Sequence, residues 1–252
     1  MICGMAHGGA GVNDREGGET VTAGPSGLVT PVMHRIIALI RADALKPGAP
    51  IPSEASLSLA FGVSRAIVRE ALRSLAALTL IDVGNGRRAR VAIPDANVLG
   101  LVVDHAVYTE HVSIQQIYDV RRTVEMRTAV LAALRRTNVE ALQISRRAAA
   151  MRANFPTPEL VETHDIAFHA AIAVASRNPM FSLIVQSFQD VTRKTWRVAW
   201  ISRPSDEERM ASIEAHEAIA DAISRQDPRA AETAMAEHFD NSVKALLDAG
   251  VI

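Results

Sequence analysis

The stretch Ile51–Arg73 constrains this chain most, because it reads as two short helices joined by a tight turn. Pro52 and Ser53 form a start signal, with Ser53 as the first N-cap. Leu57, Leu59, Ala60 and Phe61 give the first helix an apolar face, and Gly62 permits the backbone to reverse. Ser64 caps the second helix, whose pattern runs from Arg65 to Ala77. On it Ile67, Val68, Ala71, Leu72 and Leu75 face inward at helical spacing. Arg65, Arg69 and Arg73 recur every four residues and form a basic stripe. Such a helix fits the DNA major groove, with its first residues nearest the base edges. A helical hairpin with a solvated arginine face is the alternative that turn and stripe alone leave open.

The flanks extend the motif. Pro31 to Ala44 reads as a preceding helix, stopped by Leu45-Lys46-Pro47-Gly48. Leu80–Val83 and Arg88–Ile93 read as paired strands about the turn Gly84-Asn85-Gly86, since Asn-Gly accepts positive φ. Three helices and a hairpin make a winged helix-turn-helix over residues 26–94. Those residues hold nine Lys/Arg against four Asp/Glu, whereas the whole chain carries a net charge of −1. A basic module attached to an acidic one suits a DNA-binding regulator. Residues 1–25, rich in Gly, Thr and small polar residues, read as a disordered tail.

Residues 95–112 read as a linker, and residues 113–252 as an all-α antiparallel helical bundle. Ser113-Ile-Gln-Gln116, Thr137-Asn-Val-Glu140 and Ser205-Asp-Glu-Glu208 have the capping-box pattern. Thr157-Pro158, Asn178-Pro179 and Asp227-Pro228 place a cap before a proline at the first helical position. These signals predict six helices, over 113–136, 138–153, 158–177, 179–202, 206–225 and 228–248.

Within that bundle Asp165 and His169 stand at i and i+4 and leave one helix face together. His216 and His238 lie on later helices. Four N/O ligands from three helices suit a divalent transition metal in the bundle interior. Zn, Ni, Mn and Fe all remain open, because ligand type does not select among them. Surface or hydrogen-bonded core histidines are the competing reading.

Leu45-Lys-Pro-Gly-Ala-Pro-Ile-Pro-Ser-Glu54, Phe61-Gly-Val-Ser-Arg65 and Val68-Arg-Glu-Ala-Leu72 together resemble the DNA-binding domain of GntR-family bacterial repressors. The resemblance implies DNA contacts from Arg65 and Arg69, with Ser64 and Arg73 on the same helix. It also implies a wing tip of Asn85, Gly86 and Arg87 in the minor groove. One departure is Ala55, where the family usually has arginine after Pro-Ser-Glu. Asp165-Ile-Ala-Phe-His169, Glu214-Ala-His216 and Ala234-Met-Ala-Glu-His238 resemble the FCD ligand-binding domain of the FadR-like branch. That resemblance implies a metal held by Asp165, His169, His216 and His238. Asp119-Val-Arg-Arg-Thr-Val-Glu125 resembles the first helix of that domain and makes Arg121 the effector-binding arginine. A salt bridge from Arg121 to Glu125 is the alternative. Trp196 and Trp200 read as core or dimer packing, and Arg193 and Arg197 remain alternatives for a second pocket arginine.

A lone cysteine, Cys3, excludes an intrachain disulfide framework, and no apolar run is long enough to span a bilayer, so a reducing cytoplasm is the expected setting. Aromatics at 4 % disfavour a single-strand binder that stacks bases. The expectation is a ligand-responsive transcription regulator, not an enzyme. It would act as a repressor that senses a small organic or sugar acid at a metal-containing pocket. Its partners would be a double-stranded operator, the small carboxylate and, by family implication, a second copy of the chain in a homodimer, with no membrane. A metal sensor and a metalloenzyme are the rival readings.

Overall fold

A computed structural model describes residues 25–84 and 87–252, in two compact units that meet in sequence between Ala92 and Ile93. The expected tail therefore lies outside the described residues, except for Pro25, which opens the first helix. The first unit contains α1 (Pro25–Ala42), α2 (Glu54–Phe61), α3 (Arg65–Ala77), β1 (Ile81–Asp82) and β2 (Arg90–Val91). Helix α1 starts six residues before the expected Pro31, which lies inside it. An internal proline removes one helical hydrogen bond. Val29, just before the proline, packs against the unit's core and holds the preceding turn in place.

The turn follows the local rules. The Ser53 and Ser64 hydroxyls accept from the backbone N–H of Ser56 and Ile67, and Gly62 takes the left-handed conformation at φ 68°. Ile36, Ile51, Leu57, Val68, Leu75 and Ile81 form the core. Ala60, expected on the apolar face, is exposed, and Leu59, expected there too, is 87 % exposed. It lies two residues from buried Leu57, about 200° round the helix. The wing is antiparallel, pairing Ile81 with Val91 and Asp82 with Arg90. Its strands are shorter than expected, and residues 89–91 also bond to the segment after α1. There the Ile51 N–H donates to the Ala89 carbonyl and the Val91 N–H to the Ala49 carbonyl.

The second unit is helical: α4 (Asn97–Tyr108), α5 (Ile114–Arg135), α6 (Asn138–Ala153), α7 (Pro158–Ala175), α8 (Pro179–Ser187), α9 (Gln189–Ser202), α10 (Asp206–Ser224) and α11 (Pro228–Asp248). Ser113 with Gln116 and Thr137 with Glu140 form reciprocal capping boxes. Ser205 caps in one direction only, and Thr157 makes no side-chain cap bond. Two expectations are corrected. The expected linker holds α4, whose Val103 and Val107 pack on buried Ile117, Phe188 and Val191. The expected helix over 179–202 breaks at Phe188, whose ring is drawn into that same cluster. Gly100 of α4 fits against this break, where an added Cβ would lie 3.3 Å from the Ser187 carbonyl oxygen. Neither event carries a Gly or Pro signal at residue 188, because tertiary packing causes both. The main core joins α5, α6, α7, α10 and α11 around Phe168, Ile172, Ile213, Ile219 and Phe239. Among the described residues no helix is long and apolar enough to cross a membrane.

Candidate functional site

Two groups of residues carry chemistry. On α3, Arg65, Arg69 and Arg73 stand exposed beside the face that buries Val68, Ala71, Leu72 and Leu75. Arg69 is oriented by a carboxylate that the sequence reading did not assign. Its Nε lies 3.2 Å from both oxygens of Glu54, and its Nη2 donates to Oε2 at 2.9 Å. That hydrogen bonding draws the Glu54 carboxyl below its ordinary range. Ala55, next to Glu54, is exposed. On the wing, Arg87 pairs with Asp82 at 3.2 Å, and Asn85 and Gly86 lie outside the described residues.

The second group is buried in the helical unit. Asp165 and His169 come from α7, His216 from α10 and His238 from α11, and they are between 1 and 7 % exposed. One ring nitrogen from each of the three histidines lies within 4.8 Å of the others. Asp165 borders this trio, with Oδ2 3.1 Å from His216 Nε2 and Oδ1 3.7 Å from His169 Nε2. Phe168 and Phe239 set their ring edges against the imidazoles. Apolar walls of this kind keep the local dielectric low and make an unpaired polar atom costly.

The bonding around His216 decides what the cluster can do. Its Nδ1 lies 2.8 Å from the Ser212 carbonyl, which only accepts, so Nδ1 carries the hydrogen. In the neutral ring Nε2 then presents a lone pair toward the Asp165 carboxylate, and this buried atom has no hydrogen bond. His169 Nε2 is likewise buried without a hydrogen bond. Two facing acceptors repel unless a proton or a metal ion stands between them. Donor type, burial and these orphaned nitrogens therefore fit a divalent metal.

Burial opposes ionisation of Asp165, but the neighbouring His216, then His169 and His238, outweigh it and hold the carboxyl far below the usual range. Burial, then the neighbouring His216 and His169, pushes His238 well below its ordinary value and leaves it neutral. Glu125 Oε2 of α5 approaches His169 Nδ1 to 2.5 Å, off the line of a hydrogen bond. Burial raises the Glu125 carboxyl, but the Arg121 charge and then His169 outweigh this and keep it below its usual range. Trp196, read from sequence as packing, stacks on Trp200 and also donates its indole N–H to Asp165 Oδ2 at 3.0 Å.

Arg121 borders the cavity beside this cluster, but its Nε is committed to Glu125 at 2.9 Å, which is the alternative the sequence left open. Arg193 and Arg197 are both exposed and absent from the cavity wall. The arginine found there instead is Arg203, at the C-terminal end of α9. No sequence spacing marks it, because it lies beyond the helix that places it. The cavity measures about 30 Å3. A larger concavity of about 800 Å3 is an open groove lined by residues such as Arg146, Arg147 and Val174, and contains none of the cluster. The small cavity is the one that Asp165, His169 and His238 border.

Comparison with known proteins finds a family match in each of the two units. The family described as bacterial regulatory proteins, gntR family, matches residues 28–91, and the FCD domain matches residues 116–241. The HTH-type transcriptional regulator LutR of Bacillus subtilis is 31 % identical over 81 % of this chain and 94 % of its own. The galactonate operon transcriptional repressor of Escherichia coli is 32 % identical over 79 % of this chain and 88 % of its own. The solved structure of Streptococcus agalactiae GntR has the same fold, with a TM-score of 0.59 at 24 % identity over 84 % of this chain and 97 % of that one.

Proposed function

The chain belongs to the GntR family of bacterial transcription regulators, with an FCD domain, and from that premise we propose that it is a repressor whose hold on DNA is relieved by a small organic or sugar acid bound beside a metal ion. The family and the matched relatives are transcription regulators and not enzymes. Asp165, His169, His216 and His238 would hold the metal. When bound, the ion supplies a localised positive charge that attracts a carboxylate oxygen. The orphaned His216 Nε2 facing Asp165 is the observation that carries this reading.

The chain's own residues have separate roles. The Ser212 carbonyl fixes the His216 tautomer, Trp196 orients Asp165, and Glu125 sits against His169. Arg65, Arg69, Arg73 and Ser64 would meet the major groove, with Arg87 and the wing tip at the minor groove. A homodimer in the cytoplasm would set two such heads on a pseudo-palindromic operator. The acid acts by favouring one arrangement of the dimer over another.

The test is operator binding by metal-loaded and chelated protein, with and without a panel of hydroxy acids. Release by an acid only when metal is present supports the reading, and release that ignores chelation contradicts it. The small cavity favours a second reading, in which the metal alone is the signal. A space of about 30 Å3 exceeds the roughly 10–15 Å3 that one water needs, but it is small for an organic acid. Metal-dependent operator binding with no response to any acid would select that reading.

A further inference from the structure

The open groove of about 800 Å3 has no part in the buried cluster. Helices α6 and α7 run along it, and residues of α8 and α9 also line it. On α7 the lining positions Thr163, Ala167, Ala170 and Val174 recur at i, i+4, i+7 and i+11, so they form one stripe along the helix. The alanines leave room above the backbone, and Val174, 51 % exposed, continues an apolar floor. From Thr163 to Val174 the helix rises about 16 Å, the length of about three helical turns. The walls are basic. Arg146 and Arg147 of α6 are exposed and, among the described residues, make no salt bridge or side-chain hydrogen bond. Arg193 of α9 shares the charge of Glu162. The one acid on the wall, Glu140, is already committed: its Oε2 accepts from the Thr137 N–H at 2.7 Å and pairs with Arg177 at 3.0 Å.

We infer that this groove docks an acidic amphipathic helix of a partner protein. The partner's apolar side chains lie on the alanine-lined floor, and its carboxylates meet the Arg146 and Arg147 guanidinium groups on the wall. Charge selects this occupant. A two-fold that set the groove against its own copy would bring like charges together on one short face, which opposes association. A small molecule is bound by a cleft that surrounds most of its surface, which an open groove does not do. A phosphate backbone would use the arginines but leave the apolar floor without a contact. The inference is independent of the metal-anchored reading above, since none of the cluster lines this groove.

Display selection of random peptides of about twelve residues, long enough for three helical turns, on the full-length protein tests the proposal. The selected peptides are expected to carry Asp or Glu beside apolar residues at i, i+3, i+4 and i+7. Fluorescence anisotropy then measures the best of them. The double variant Arg146→Glu/Arg147→Glu should weaken it by at least about tenfold, because like charges then face each other. Val174→Gln should weaken it less, by removing apolar contact alone. Raising salt from about 50 to about 500 mM should weaken it on the wild type. No enrichment over the starting library, enrichment of neutral or basic peptides, or equal binding to the double variant would overturn the inference. Should the double variant fail to fold, Val174→Gln decides, and unchanged affinity there overturns it. Sedimentation velocity showing that the double variant breaks up an assembly of the free protein would overturn it in favour of a contact between copies. Loss of operator affinity in the double variant, with no peptide selected by the wild type, would overturn it in favour of a nucleic-acid contact.

Discussion

On α3 the Arg69 side chain is 54 % exposed, whereas the histidines of α7, α10 and α11 are between 1 and 7 % exposed. Both regions concentrate charge-bearing groups on helices, yet the physics they use differs. The arginines remain hydrated until DNA arrives, and their contribution then comes from phosphate neutralisation and base-edge bonds, so it depends on salt. Their contact with Glu54 is an exposed ion pair, worth about 0–1 kcal/mol, and orients more than it stabilises. In the buried cluster His216 Nε2 and Asp165 Oδ2 face each other 3.1 Å apart, and a proton or a metal ion between them would relieve the repulsion. A surface site can therefore be built from one helix and its neighbour, but a buried one needs partners from every side. Here those partners are Ser212, Trp196 and Glu125, on three different helices.

Metal removal should separate the two regions most strongly. A ligand held by the folded form alone adds about 4 kcal/mol when present at a thousandfold over its Kd. Chelation should lower the melting temperature of the protein and added Zn should restore it. An unchanged melting temperature would reduce the cluster to ordinary core packing and erase the contrast. Next in size is Arg69→Ala, expected to cost about 1–3 kcal/mol of binding to an operator selected from random duplexes, as loss of a base-contacting arginine does. Fluorescence anisotropy would measure this, and metal content should not change. Trp196→Phe removes the indole bond to Asp165 and should weaken metal by about tenfold, measured by competition with a chromophoric chelator, with operator affinity of the loaded protein preserved. The smallest effect is expected from Ala55→Arg. It should steepen the salt dependence of operator binding by about one phosphate contact. An unchanged slope would mean that this exposed position faces away from the duplex.

The comparison also explains what the sequence disclosed. The recognition unit follows rules acting over a few residues: hydroxyl caps at Ser53 and Ser64, a left-handed Gly62 and an inward stripe on α3. Those were legible, apart from Leu59, Ala60 and the start of α1. The capping boxes of α5 and α6 were legible for the same reason. In the helical unit, Asp165 and His169 were visible as an i, i+4 pair, and the structure brings His216 and His238 to them. The break at Phe188 and the helix α4 were not visible, because mutual packing around Ile117 and Val191 determines them. Glu125 was readable only as a partner for Arg121, since its approach to His169 crosses from α5 to α7. Arg203 was missed because its place on the cavity wall depends on where α9 ends, and no spacing rule encodes that.

Elemental analysis of the wild type and His216→Ala, each purified, loaded with Zn and dialysed, tests the central claim most directly. The account predicts about one ion per chain in the wild type, as a single closed cluster of ligands implies, and little or none in the variant. A full complement of zinc in His216→Ala, or none in the loaded wild type, would contradict it.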